Sequence, residues 1–83
     1  MTVHKLVKSN FKEATINGKP SIIDFHATSW CAPCRVLEPV FKQISDEIEK
    51  AQFYEVDVDK EPELAKQFSI LSVPSILVLR NGI

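Results

Sequence analysis

Basic runs, long apolar stretches and a second pair of metal-ligand residues are all missing from this chain, and each absence removes a class of function. With no basic run and a formal net charge of −1, there is no electrostatic footprint for nucleic acid or for an anionic membrane, and neither is expected as a partner. No segment approaches the length needed to span a bilayer. The N-terminal residues Met1-Thr2-Val3-His4-Lys5-Leu6-Val7 lack the apolar core of a secretory leader, so a cytoplasmic location is expected. Internal repeats, low-complexity tracts and linkers are absent too, which leaves residues 1–83 as one small domain with a thin stability margin. What is present, 45% hydrophobic and 25% charged residues, is the ordinary balance of a folding globular chain.

The two cysteines, Cys31 and Cys34, sit three positions apart. A ring that small hardly constrains the unfolded chain, so a purely structural disulfide is a poor reading. In a reducing compartment a close pair is either catalytic or part of a metal site. A closed zinc site needs four ligands, and the chain adds only His4 and His26, which are not spaced as a second pair. Redox use is therefore the better reading, and no metal is expected.

Residues 3–7 read as a short strand, and Ser9 or Asn10 is placed to cap a short helix carrying Phe11, Ala14 and Ile16 before Asn17-Gly18 stops it. Residues 21–26 form a mostly apolar run of strand length, the pattern of a strand covered on both faces, with Asp24 standing out inside it. From 33 to about 50, Leu37, Val40, Phe41, Ile44 and Ile48 recur at intervals of three and four and predict a long amphipathic helix, kinked at Pro39. A strand over 52–58, a short helix over 63–68 begun by Pro62, and a strand over 76–79 complete the chain. Alternating strands and helices suggest an α/β fold with parallel pairing. Asn81-Gly82 is a strong hairpin signal, yet only Ile83 follows, so the protein is either naturally short or a fragment of a longer one.

Several residues carry chemistry on their own evidence. A helix start stabilises a thiolate through unpaired N–H groups and the helix dipole, which favours Cys31 as the attacking, accessible thiol over an incidental surface cysteine. Cys34, one turn further in, would be less exposed and would resolve the mixed disulfide. Asp24 is either a buried acid with a raised pKa or a carboxylate tied up in local hydrogen bonds. Trp30 reads equally as core and as a shield and contact surface beside the thiols. Asp57 and Asp59, where a strand meets a loop, read as solvated surface, and His26 as a packed or solvated side chain without a role.

In order along the chain, Asp24-Phe25, Ala27, Trp30-Cys31-Ala32-Pro33-Cys34, Pro39, Val56-Asp57-Val58-Asp59, Val73-Pro74 and Asn81-Gly82 resemble the thioredoxin family. A bare pair of cysteines two residues apart is weak evidence, whereas the ordered set is highly specific. The resemblance implies a thioredoxin-like fold: a central mixed sheet of about four strands flanked by helices, without the further strand and terminal helix that usually follow. It also implies protein-disulfide reduction through Cys31 and Cys34 with no bound cofactor, and reducing equivalents from NADPH through a thioredoxin reductase. Disulfide-containing proteins are the implied clients. Asp24 would be the buried carboxyl that moves the Cys34 proton. Val73-Pro74 would be a cis-peptide loop facing the cysteines, pairing with substrate alongside Trp30, Ala32 and Pro33; the plain alternative is a trans proline at a strand start.

Three departures stand out. Ala32 replaces the usual glycine and should tune the redox potential and the groove surface. Thr28 and Ser29 make the loop before Trp30 one residue longer than the common pattern, and Glu55 stands where many bacterial members have lysine. Loss of the last strand and helix would bare a face of the sheet, so a homodimer covering it, or a weakened binding or assembly module, is the rival expectation.

Overall fold

A computed structural model describes residues 3–16 and 18–81. The elements run β1 (Val3–Lys5), α1 (Phe11–Thr15), β2 (Pro20–His26), α2 (Ala32–Glu47), β3 (Gln52–Asp57), α3 (Pro62–Gln67) and β4 (Ser75–Arg80). The four strands form one sheet in the order β1-β3-β2-β4. β1 and β2 both run parallel to β3, while β4 is antiparallel to β2. Strand–helix alternation alone suggests parallel pairing throughout and misses the reversal of β4; the mixed sheet is what the thioredoxin resemblance implies.

Side-chain alternation along β2 divides the core in two. Ile23 and Phe25 join Leu6, Phe11, Tyr54, Val56, Leu64 and Leu79 in the larger cluster, shared with α1 and α3. Ile22 faces the other way, against Val3, Phe41 and Phe53 under α2. Phe41 and Phe53 meet edge to face with ring centroids 5.4 Å apart, the arrangement that the ring quadrupole favours. Asp24 and His26 continue the Ile22 side of the strand, so both look toward α2.

Local chemistry modifies several expected elements. Asn10 precedes α1 without capping it: its Oδ1 accepts the Val7 N–H at 2.9 Å and its Nδ2 donates to the Lys5 carbonyl. The asparagine thus closes the loop behind the helix rather than the helix itself. Ile16, expected on the apolar face of α1, lies past its end and is exposed. Gly18 adopts a φ of +81°, the left-handed conformation that glycine takes without steric cost. Asn17, its partner in the expected stop, lies outside the described residues, as do Gly82 and Ile83 of the expected hairpin; Asn81 has a φ of +52°.

Helix α2 runs on both sides of Pro39, which has no N–H to give the Arg35 carbonyl. Its apolar stripe is only partly covered. Phe41 is buried and Leu37 half-buried, but Val40, Ile44 and Ile48 are exposed, with Val36 beside them 73% exposed. Ile76 and Val78 on β4 are likewise exposed, and they stand opposite Asp24 and Ile22 on the α2 side of the sheet.

Two substitutions test this packing. Phe25→Ala should cost about 3–5 kcal/mol, because a fully buried ring leaves a cavity between sheet and helices. Tyr54→Phe removes only the hydroxyl that donates to the Ala14 carbonyl at 2.6 Å and should cost about 1 kcal/mol. Urea denaturation monitored by circular dichroism reads both.

Candidate active site

Strand β2 ends at His26, buried Ala27 follows, and the chain then loops out through exposed Thr28, Ser29 and Trp30 before turning into α2. The added loop residue is anchored: Thr28 Oγ1 donates to Asp57 Oδ2 at 2.9 Å, and the Thr28 carbonyl accepts from Arg35 Nη2 at 3.3 Å. Cys31 is the N-cap residue of α2, with Ala32 and Pro33 filling its exposed first positions. Proline fits there because its missing N–H would have no helical partner anyway.

Cys31 and Cys34 form a disulfide with their Cα atoms 5.3 Å apart, inside the range this bond requires. The Cys34 N–H donates to Cys31 Sγ at 3.2 Å. The sulfur thus occupies the position that a serine or aspartate oxygen takes in an ordinary helix cap. Both cysteines are covered, at 3% and 4% exposure, so the expected difference in accessibility between them is not found in this disulfide form. The reason is packing: Ala27, Cys31 and Cys34 make a small cluster covered by Val58 and Val73. Cap position, not exposure, distinguishes Cys31 from its neighbour.

Val73-Pro74 is a cis peptide bond, and it brings Val73 against the cysteine pair from a distant part of the chain. A plain trans proline is thereby set aside. Trp30 is 62% exposed, which rules out the core reading, and its indole Nε1 donates to Asp59 Oδ2 at 2.8 Å. Trp30 and Val73 also line a shallow groove with Val58, Ile70 and Leu71.

Of Asp57 and Asp59, only Asp59 is exposed as the strand-end position of both suggests. Asp57 is buried and accepts from Thr28 Oγ1 and from the Asp59 N–H at 2.9 Å. Burial alone would raise its pKa, but these hydrogen bonds and the nearby His26 hold it below the usual carboxylate range. Asp59 positions the tryptophan. The only sequence hint of this was their spacing at the strand end, a pattern shared by many turns.

Asp24 is 4% exposed, and its Oδ1 has no hydrogen-bond partner among the described residues. Burial pushes its pKa up to about 6, opposed by His26 and reinforced by Glu55, its register partner on β3, and by Glu38 of α2. Of the two readings open from sequence, the buried acid with a raised pKa holds. Glu38 lies four residues beyond Cys34, one turn further along the same helix face, so Asp24 looks onto the first turns of α2 below the cysteines.

Among the described residues no group of three or more His, Cys, Asp or Glu side chains is arranged to hold a metal ion. No described helix is long and apolar enough to cross a membrane. A disulfide at a helix cap, faced by a cis-proline loop on a four-stranded mixed sheet, defines a thiol–disulfide oxidoreductase.

Comparison with known proteins agrees. The sequence profile of the thioredoxin family matches residues 2–83. A thioredoxin from Malassezia sympodialis is 42% identical over 74 residues, covering 87% of this chain and 70% of that protein. A thioredoxin from Staphylococcus haemolyticus is 35% identical over 83 residues, covering 99% of this chain and 78% of its own length. A crystal structure of the Malassezia sympodialis thioredoxin superposes with a TM-score of 0.90 at 36% identity, covering all of this chain and 76% of that one. The chain belongs to the thioredoxin family of protein-disulfide oxidoreductases, and Cys31 and Cys34 are its exchanging pair.

Stability carries the mark of Asp24. A carboxyl whose folded pKa is raised above its unfolded value opposes folding once it must ionise, so stability is full below about pH 4 and falls as pH rises through about 6. Asp24→Asn removes this cost and should stabilise the protein by about 1–3 kcal/mol at pH 8, with little effect near pH 4. Urea titrations at the two pH values measure the difference.

Proposed function

We propose that this chain reduces disulfides in client proteins, with Cys31 as the attacking thiolate and Cys34 as the resolving thiol. The supporting observation is the Cys34 N–H donated to Cys31 Sγ at the start of α2. A thiolate formed there keeps that hydrogen bond and gains from the helix dipole, so charge is favoured on this sulfur over its partner.

In the forward reaction Cys31 thiolate attacks one sulfur of a client disulfide, forming a mixed disulfide and releasing a client thiolate that takes up a proton. Asp24 carboxylate accepts the proton of Cys34, whose thiolate attacks Cys31 Sγ. The ring disulfide closes, and the second client thiolate leaves and is protonated. Two electrons pass from the dithiol to the client. A buried carboxyl with one unpartnered oxygen, on the α2 side of the sheet, supports the role of Asp24. Trp30, Ala32, Pro33, Val73 and Pro74 form the client-facing surface, with the Val73 backbone pairing to an extended peptide. Exposure of Trp30, Ala32 and Pro33, and the contact of Val73 with the cysteines, support this reading. The oxidised pair is returned to the dithiol by a thioredoxin reductase using NADPH. A reducing compartment such as the cytoplasm suits a protein that works in the dithiol form.

A second reading, assembly into a homodimer, has its own support. Val36, Val40, Ile76 and Val78 expose apolar surface on the α2 side. β4 pairs with β2 on one edge and with no strand on the other among the described residues. An antiparallel pairing of two β4 edges about a two-fold axis would cover both features.

Insulin reduction with dithiothreitol as electron source tests the leading proposal. Cys31→Ser should abolish turnover, whereas Cys34→Ser should accumulate a mixed disulfide visible by mass spectrometry; wild-type activity equal to that of Cys31→Ser would reject it. Gel filtration addresses the dimer: elution at twice the monomer mass, lost on Val78→Lys, is expected, and a monomer at high micromolar concentration rejects it.

A further inference from the structure

His26 enters none of the steps above, yet its placement is specific. It lies two residues beyond Asp24 on β2, so both side chains leave the strand on the same face, roughly 6–7 Å apart along the chain. That is a gap one water bridges. His26 is itself buried at 8% exposure, and it lines a cavity of about 80 Å³ that Asp24 does not reach, room for a few waters. Glu55, the register partner of Asp24, and Asp57, the register partner of His26, form the neighbouring wall.

We infer that His26 is a second proton-handling group of this site, a positioning residue that sets the charge of Asp24 and exchanges its proton with the water-accessible cavity. This rests on the reading of Asp24 as the acceptor of the Cys34 proton. After Cys34 has given up its proton, Asp24 is left neutral in a closed environment, with one oxygen unpartnered. The next cycle requires that proton to leave. His26, two residues along the same face of β2, lines the cavity, so the outward route from Asp24 runs past its ring. Imidazole accepts a proton at one nitrogen while releasing one from the other, and it does so near neutral pH.

Charges around the pair define what His26 has to counter. Lys5 of β1, Glu55 and Asp57 of β3, and Lys60 and Glu61 beyond it border the cavity. From α2, Glu38 acts on Asp24 while hydrogen-bonded to Lys42. Glu55 and Glu38 both oppose ionisation of Asp24, and of the surrounding groups that act on its carboxyl only His26 favours it. Without the His26 ring, Asp24 holds its proton to higher pH and accepts less readily from Cys34.

The test follows the carboxyl of Asp24 by ¹³C NMR in the reduced protein, alongside the pH profile of insulin reduction. In His26→Gln the Asp24 carboxyl should titrate at higher pH, and reduction at pH 6 should fall about two-fold, the loss of ionised Asp24 that a rise of about half a pH unit produces at its midpoint. Neutral pH unfolding curves confirm that the variant is folded; should it not be, His26→Ser serves instead. Wild-type protein supplies a measurement free of any substitution: the His26 ring resonances should respond at the Asp24 midpoint, a response absent in Asp24→Asn. An Asp24 titration unmoved by loss of the imidazole, or ring resonances that do not respond to Asp24, overturns the inference. A pH profile unchanged in Asp24→Asn overturns the proton-acceptor reading of Asp24 itself, and the carboxyl titration then judges the charge-setting role of His26 separately.

Discussion

Ladder hydrogen bonds on both edges of β2 hold it between β3 and β4, and the remaining structure is arranged around that fixed strand. Because its register is locked on both sides, no side chain on it can change faces without breaking two ladders. Ile23 and Phe25 are committed to the core under α1 and α3, which forces Asp24 and His26 toward α2. The buried carboxyl is therefore not free to find solvent. Its raised pKa follows from the same packing that keeps Phe25 dry, and the chemistry of the site depends on a strand whose sequence is otherwise that of a plain core element.

A second level of order is set by the loop from Ala27 to Cys31. It starts in the apolar cluster with the cysteines, passes through solvent at Thr28 and Ser29, and returns at the helix cap. Thr28 to Asp57, Arg35 to Thr28 and Trp30 to Asp59 tie it to two separate parts of the chain. A loop one residue longer than the common family pattern would be expected to wander. Here the added residue is absorbed by a buried aspartate that is already hydrogen-bonded to its own backbone two residues on.

Much of this could be read from the residues alone, and the parts that could not share a cause. Strand and helix identities followed from apolar spacing, since Ile22, Ile23 and Phe25 or Leu37 and Phe41 leave few alternatives. The helix start at Cys31 was evident because proline two residues later suits a first turn. What spacing cannot report is which neighbour a strand end meets. Asp57 looks like a solvent-facing loop acid until Thr28 covers it, and Asp59, which does face solvent, gives no sign in sequence that it holds Trp30. Likewise the exposure of Val40 and Ile44 reflects what packs on α2, a property of the assembled layers rather than of the helix. Asn10 is the same case on a smaller scale, a capping residue that spends its side chain on the preceding loop.

The tryptophan side chain has a further consequence. Trp30 is the only tryptophan of the chain, it stands next to the disulfide, and its indole is fixed to Asp59. All indole emission from this protein thus originates at one place, beside the bond that opens and closes. The molecule carries its own optical gauge of oxidation state, with no label required and no second chromophore of its kind to dilute the signal.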